Sequence, residues 1–333
     1  MTDDLEALTA IDAHVAGNVL RLITAGAALP QGRTSAELAR WLKRRDGVRL
    51  LALLREPRGH DGQQLGLLAA PSVGDADAAL VVLSSSGFVP ISGCGLIAAI
   101  TIALERQLLL PRQAGLVRVQ TGIGVVDATV TTNVDGRVTG VSYVGPPSFV
   151  FAGGVPLPFA SRTIRVDVAW SGQFYAIVDT ESAGLAMDVL RHAEFRAAAR
   201  TIAAAVDASV ALAHPSRRST ESLAGIVFTG PAATGSAQLR VVHASASGEL
   251  ARGPSAESLG AVLAVLDAMG LSTDQEVVVE GLTGPTLSGR IAGRSRAGDF
   301  DAIHPEVSAA AWIIADHTFR SSEDDPLRDG LDW

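Results

Sequence analysis

At 333 residues, with 47% hydrophobic and 19% charged side chains, the chain is long enough for two cores and too apolar for disorder. Its formal charge of −8 argues against a phosphate backbone or an anionic lipid surface as partner, and the one basic cluster, Lys43 to Arg45, is too short to reverse that. One cysteine, Cys94, excludes internal disulfides, and the only lysine, Lys43, sits in a charged run where it cannot serve pyridoxal phosphate as a pocket Schiff base.

The opening "MTDDLEALTAIDAH" is acidic where a secretory leader is basic, and Gly, Ser and Arg interrupt every apolar run before it can span a bilayer. A cytoplasmic protein is the expectation. The seven histidines form no H-x-x-x-H pair and no close cluster with carboxylates, so neither a metal nor any other cofactor is expected.

In chain order, "TSAELARWLKRRD" has a Ser/Thr start and helical apolar spacing. "VRLLALL", "AALVVL", "LVRVQT", "GVVDATVTT" and "RVTGVSYV" read as strands, with "NVDG" after Thr132 as a hairpin turn. Between the second and third of these, "SGCG" opens an aliphatic helix. The Pro-rich run Gly153 to Thr163 reads as a linker, "MDVLRHAEFRAAARTIAAAVDA" as a helix of several turns, and Leu259 to Met269 as another. Many strands with few helices make an α+β protein.

"SGCGLIAAITIAL", from Ser92, aligns without gaps on "SAESLGAVLAVLD", from Ser255, about half a chain later. Serine falls on serine, Leu96 on Leu259, and the aliphatic rows stay in register, which reads as an internal duplication. The first turn of a helix has unpaired N–H groups and a partial positive charge, so two such starts suit a small carboxylic acid. A proton carrier at the tip of each could remove and return a Cα proton on opposite faces, as a cofactor-free racemase or epimerase requires.

With "IDAHVAGNVLRLITAG", "EPRGH", "VPISGCGLIAAITIALE", "PPSFV", "DVAWSGQFYA", "VFTGP", "VSAAAWI" and "DDPLRDG" in order, nearly the whole chain resembles the proline racemase superfamily. That superfamily also holds hydroxyproline epimerases and 3-hydroxyproline dehydratases. The resemblance implies two pseudo-symmetric α+β domains of the diaminopimelate-epimerase type, each a curved, mostly antiparallel sheet around a central helix, with the site in the cleft between them. The expected halves are residues 1–155 with 305–333, and 156–304. The implied partner is a small imino acid substrate, with no nucleic acid and no membrane, and a homodimer is the assembly left open.

The same resemblance locates the departures. Where the family has its first catalytic Cys this chain has Ser92, and the neighbouring His is Cys94. In place of Asp-Arg-Ser-Pro-Cys-Gly-Thr-Gly-Thr it has "ARGPSAESL", so the second Cys is Ser255, the ring-nitrogen Asp is Ala251, and a carboxylate-receiving Thr is Glu257. A thiol of pKa roughly 8.5 is brought into range by a helix start, whereas an alcohol sits near water's ~15.7 and needs an adjacent base. Three readings stay open: an active enzyme, whose base is Ser92 aided by Cys94, Cys94 itself or Glu257; a binding protein that has lost the reaction; or an enzyme for a changed substrate.

Ser92 and Ser255 are the expected catalytic pair, and Gly93, Cys94, Gly95, His60, Ala256, Glu257, Ser258 and Asp167 the expected substrate-binding residues. Each also has a plain structural role available. Both serines make good N-caps, Cys94 is small enough to be core, Glu257 suits any first helical turn, and Asp12 and His14 suit a strand end.

Overall fold

The computed structural model describes residues 7–27, 33–42, 45–85, 87–216, 220–271 and 275–331. Lys43, Arg44 and the first six residues, which carry part of the charge argument, lie outside the described residues. The chain divides into two units, Met1–Tyr143 with Ala309–Trp333, and Val144–Ser308. The expected cut after residue 155 would fall inside a strand.

In the first unit, apolar alternation yields β1 (Leu8–Val15), β2 (Asn18–Ala25), β3 (Gln64–Ala69), β4 (Ala78–Ser84), β5 (Gly87–Val89), β6 (Leu116–Thr121), β7 (Gly124–Thr132) and β8 (Val138–Val144). Helices α1 (Ser35–Leu42) and α2 (Arg45–Leu51) precede β3, and α3 (Gly93–Glu105) follows β5. The "VRLLALL" segment is a correction, since it is helical: it completes α2 and continues as a 3-10 turn over Ala52–Leu54. Its apolar side chains recur with a helical period, which buries Leu50, Leu53 and Leu54 together against Leu65, Leu67 and Leu83. The turn after Thr132 forms as expected, with Asn133 Oδ1 accepting from the N–H groups of Asp135 and Arg137.

The second unit contains β9 (Ser148–Phe159), β10 (Arg162–Trp170), β11 (Phe174–Asp179), α4 (Thr180–Ala183), α5 (His192–Ser209), β12 (Leu223–Pro231), β13 (Leu239–Ser245), α6 (Ala256–Ala268), β14 (Val277–Gly281), β15 (Thr286–Ala297) and β16 (Phe300–Ala309). A last strand, β17 (Trp312–Phe319), returns to pair antiparallel with β1. The Pro-rich run read as a linker is the far half of β9, the turn after it and the start of β10, paired from Phe159↔Arg162 onward. Prolines at 156 and 158 survive there because the partner residues Arg165 and Thr163 still complete an antiparallel ladder around them.

Strand pairings show the duplication more plainly than the helix alignment does. From β1 to β4 the neighbours run antiparallel, parallel, antiparallel, and β4 is parallel to β6, which is antiparallel to β7. From β10 to β15 the same sequence of senses recurs. Even the extra edge is repeated, because β17 lies on β1 as β9 lies on β10.

Each unit wraps its strands around one 13-residue aliphatic helix, α3 or α6. Residues Gly93 to Ala103 and Ala256 to Val265 are all buried, so neither helix has a solvent face over those turns. Among the described residues no helix is long and apolar enough to cross a membrane. Leu96 is fully enclosed, and Leu96→Ala should lower the unfolding free energy by about 2–5 kcal/mol in a urea titration. A loss under about 1 kcal/mol would mean that α3 does not organise this core.

Candidate active site

The start of α3 is built by a cap. Ser92 holds extended backbone angles (φ −135°, ψ 105°), and its Oγ accepts the Gly95 N–H at 3.1 Å. The hydroxyl proton goes to Gln64 Oε1 at 2.6 Å, from the first residue of β3. Gly95 makes this approach feasible: a Cβ there would lie 2.9 Å from Ser92 Oγ and 3.1 Å from Gln64 Oε1. Cys94 is buried beside the cap, its Sγ 3.8 Å from Asn18 Nδ2.

Gln64 is held by the stretch before it. Asp12 and Arg21 form a buried bidentate pair across β1 and β2, with both contacts at 2.9 Å, and His317 Nε2 is 3.0 Å from Asp12 Oδ2, the oxygen that Arg21 Nη2 also bonds. The same guanidinium donates to the carbonyls of Leu53 and Arg58. Arg58 in turn donates to the Leu327 carbonyl and pairs with Asp325, so the "EPRGH" turn is fastened on both sides just ahead of β3. Asp12 is therefore a mid-strand anchor rather than a strand-end residue. His60 belongs to this turn and spends its Nδ1 on the Asp61 carbonyl at 2.7 Å, a bracing contact rather than one to Ser92.

The start of α6 is capped more fully. Ser255 Oγ accepts the Ser258 N–H at 3.1 Å, Ser258 Oγ accepts the Ser255 N–H at 3.1 Å, and the Ser258 hydroxyl donates to the Ser255 carbonyl at 2.8 Å. These bonds use Ser258 entirely for structure and leave Ser255 with one proton to place. The atom facing it is His243 Nδ1, 3.2 Å away.

His243 is the functional side chain that sequence reasoning missed. It lies near the end of β13, and the chain then turns back so that the Ala251 N–H donates to the His243 carbonyl, which brings Ser255 over the ring. Burial pushes its imidazole down to about 4, so at neutral pH the ring is uncharged and one nitrogen is an acceptor. With Nδ1 as that acceptor, the Ser255 hydroxyl proton has its partner. Tyr175 meets the ring edge-on at 5.5 Å between centroids, and burial together with the Glu257 charge pushes its phenol well above 10. Glu257 is itself buried in the first turn of α6, next to Ala256. The one available sequence signal was a lone polar ring directly after the strand run "LRVV", 12 positions before Ser255 in the numbering.

The two caps correspond position by position, and their partners are exchanged. Register matches Val82 of β4 to His243 of β13, and Gln64 of β3 to Gly225 of β12. Thus one unit reaches its serine from the neighbouring strand with an amide, where the other has a glycine and an imidazole. Gly225 is required by the ring: a Cβ would sit 2.9 Å from His243 Nε2 and 2.4 Å from the Ala244 carbonyl oxygen.

Asp167 does not join this cluster through any described hydrogen bond; its Oδ1 accepts the Gly154 N–H at 2.7 Å and holds β9 where its register with β10 shifts. Gly93 and Ala256 supply only backbone.

The His243 environment has a thermodynamic consequence. An imidazole held near 4 when folded and near 6.5 when unfolded leaves the unfolded chain with more protons between those values, so stability rises with pH across that window. The contribution is complete above about pH 6.5, is lost as the pH falls toward 4, and amounts to roughly 3 kcal/mol. Thermal melts from pH 7 to pH 4.5 should show this loss, and His243→Gln should flatten it relative to the native chain. Parallel slopes in the two proteins would refute it.

The proline racemase family profile matches residues 10–332. The chain is 32% identical over 326 residues to the 4-hydroxyproline 2-epimerase of Paracoccus denitrificans, covering 96% of this chain and 97% of that one. It is 29% identical over 328 residues to the trans-3-hydroxy-L-proline dehydratase of Bacillus cereus, covering 97% of each. Its fold superposes on a hydroxyproline epimerase from Agrobacterium vitis, solved with bound trans-4-hydroxy-L-proline, with a TM-score of 0.86 at 24% identity, over 98% of this chain and 95% of that one. The chain belongs to the proline racemase family, whose relatives include isomerases and a hydro-lyase.

Proposed function

We propose that the protein moves a proton at the α-carbon of proline or a hydroxyproline-like imino acid, racemising or epimerising it without a cofactor, with Ser92 and Ser255 as the acid–base pair. The observation that carries this reading is the repeated cap: in each unit a serine hydroxyl stands at the first turn of a buried helix, next to amides that favour a carboxylate. Family membership supplies the reaction class. With Ala251 in place of a carboxylate, the ring nitrogen is held by other groups or the ligand carries none.

One observation favours a second reading. Only Ser255 is bonded to a group able to take a proton; Ser92 is bonded to an amide oxygen, which accepts hydrogen bonds but is far too weak a base to be protonated. A site with one base and one helper suits dehydration of a 3-hydroxyproline better than inversion, because elimination needs a single Cα deprotonation and assistance to the leaving hydroxyl.

Incubation with L-proline, 4-hydroxyproline and 3-hydroxyproline in deuterated water separates these outcomes. Deuterium at Cα with inversion is expected for the racemase or epimerase, and loss of water to a cyclic imine for the dehydratase. Binding measured by calorimetry without exchange or elimination would overturn both and leave a carrier of small acids.

A further inference from the structure

We infer that His243 is the proton acceptor that makes Ser255 the reactive oxygen of this protein, so that the two capping serines are chemically unequal. The geometry is local to one unit: Ser255 Oγ lies 3.2 Å from His243 Nδ1 and accepts the Ser258 N–H of the α6 cap, and Gly225 leaves the space the ring occupies. At the matching strand position in the other unit stands Val82, so Ser92 has no imidazole there and is bonded to Gln64 instead. A serine oxygen with a neutral imidazole behind it and helix-start amides beside it is the arrangement that activates hydroxyls elsewhere in enzyme chemistry.

The catalytic consequence rests on the reaction proposed above. As the Cα–H bond breaks, its electron pair stays on carbon, the proton joins Ser255 Oγ, and the proton already on Oγ passes to Nδ1, leaving an imidazolium. Reversal returns a proton to the same face. His243 acts through Ser255 and is a positioning residue that stores the proton. Among the described residues, Tyr175 on β11 meets the ring and stays neutral, and the charge of Glu257 on α6 acts on Tyr175.

Reactivity of the pair is testable with no imino acid present. An alkyl phosphonofluoridate reacts with an activated serine by forming a P–O bond as the P–F bond breaks, with fluoride leaving and the hydroxyl proton going to Nδ1. Intact-protein mass and peptide mapping should place the adduct on Ser255 and not on Ser92, and His243→Gln should slow labelling at least about 100-fold, the lower end of general-base effects. Glutamine retains a hydrogen-bonding partner for the hydroxyl, so a purely structural role would leave the rate nearly unchanged. Should that variant fail to fold, the native chain decides: its labelling rate must fall at acid pH with one midpoint, and Glu257→Gln must keep that midpoint. Absence of label on Ser255, equal label on Ser92, a rate indifferent to His243→Gln, or a midpoint that disappears with Glu257→Gln would each overturn the assignment. Failure here with Cα exchange intact would remove His243 alone, whereas labelling without turnover on any imino acid would remove the proposed reaction and keep the pair.

Discussion

Everything in the two units depends on burying the first turn of an aliphatic helix. Eleven consecutive residues of α3 and ten of α6 are out of solvent, beginning with the first helical residue. A buried helix start has donors that water cannot reach, and leaving one unmet costs on the order of 1–3 kcal/mol. A serine at the N-cap meets that demand with its side-chain oxygen, yet doing so brings a hydroxyl, a partial positive charge and close backbone amides into one enclosed place. The structural requirement and the chemical opportunity therefore share the same atoms. Ser92 and Ser255 are caps by geometry, and nothing about capping prevents them from being reactive as well.

What separates the two caps is the group that receives the hydroxyl proton. On one side a strand residue with a long amide side chain reaches across; on the other a glycine withdraws and an imidazole from the next strand fills the gap. Duplication supplied two equal frameworks, and four residues, Gln64, Val82, Gly225 and His243, made them unequal. An alcohol is several pKa units weaker as an acid than a thiol, and each unit is about 1.36 kcal/mol, so a partner that takes the proton matters far more to a serine than to a cysteine. An imidazole kept neutral by burial is such a partner, while an amide is not.

The surroundings of the first cap show how far its support extends. The buried Asp12–Arg21 pair carries a high desolvation cost that is offset by its two guanidinium–carboxylate bonds and by three further contacts, two from the guanidinium to carbonyls and one between His317 and the carboxylate. Those carbonyls belong to the turn that delivers Gln64 to Ser92. Residues that look catalytic from their motifs make other contacts: Asp12 meets Arg21 and His317, His60 the Asp61 carbonyl and Asp167 the Gly154 N–H.

Much of this was legible in the chain itself. Period-two runs and Gly/Asn turns defined most strands, capping serines and aliphatic rows defined α3 and α6, and ordered motifs defined the family, because each of these signals is local or collinear. The linker reading failed because prolines, which usually interrupt strands, are here tolerated within the ladder of β9 and β10. The strand reading of "VRLLALL" failed because a short unbroken apolar run fits either period, and only contact with Leu65, Leu67 and Leu83 decides between them. The pairing of Ser255 with His243 and of Ser92 with Gln64 was beyond any linear reading: a hydrogen bond between residues 12 or 28 positions apart exists only once strand register has fixed which side chains meet. Sequence thus determined where the hydroxyls stand along the helices; tertiary structure decided which of them has a base.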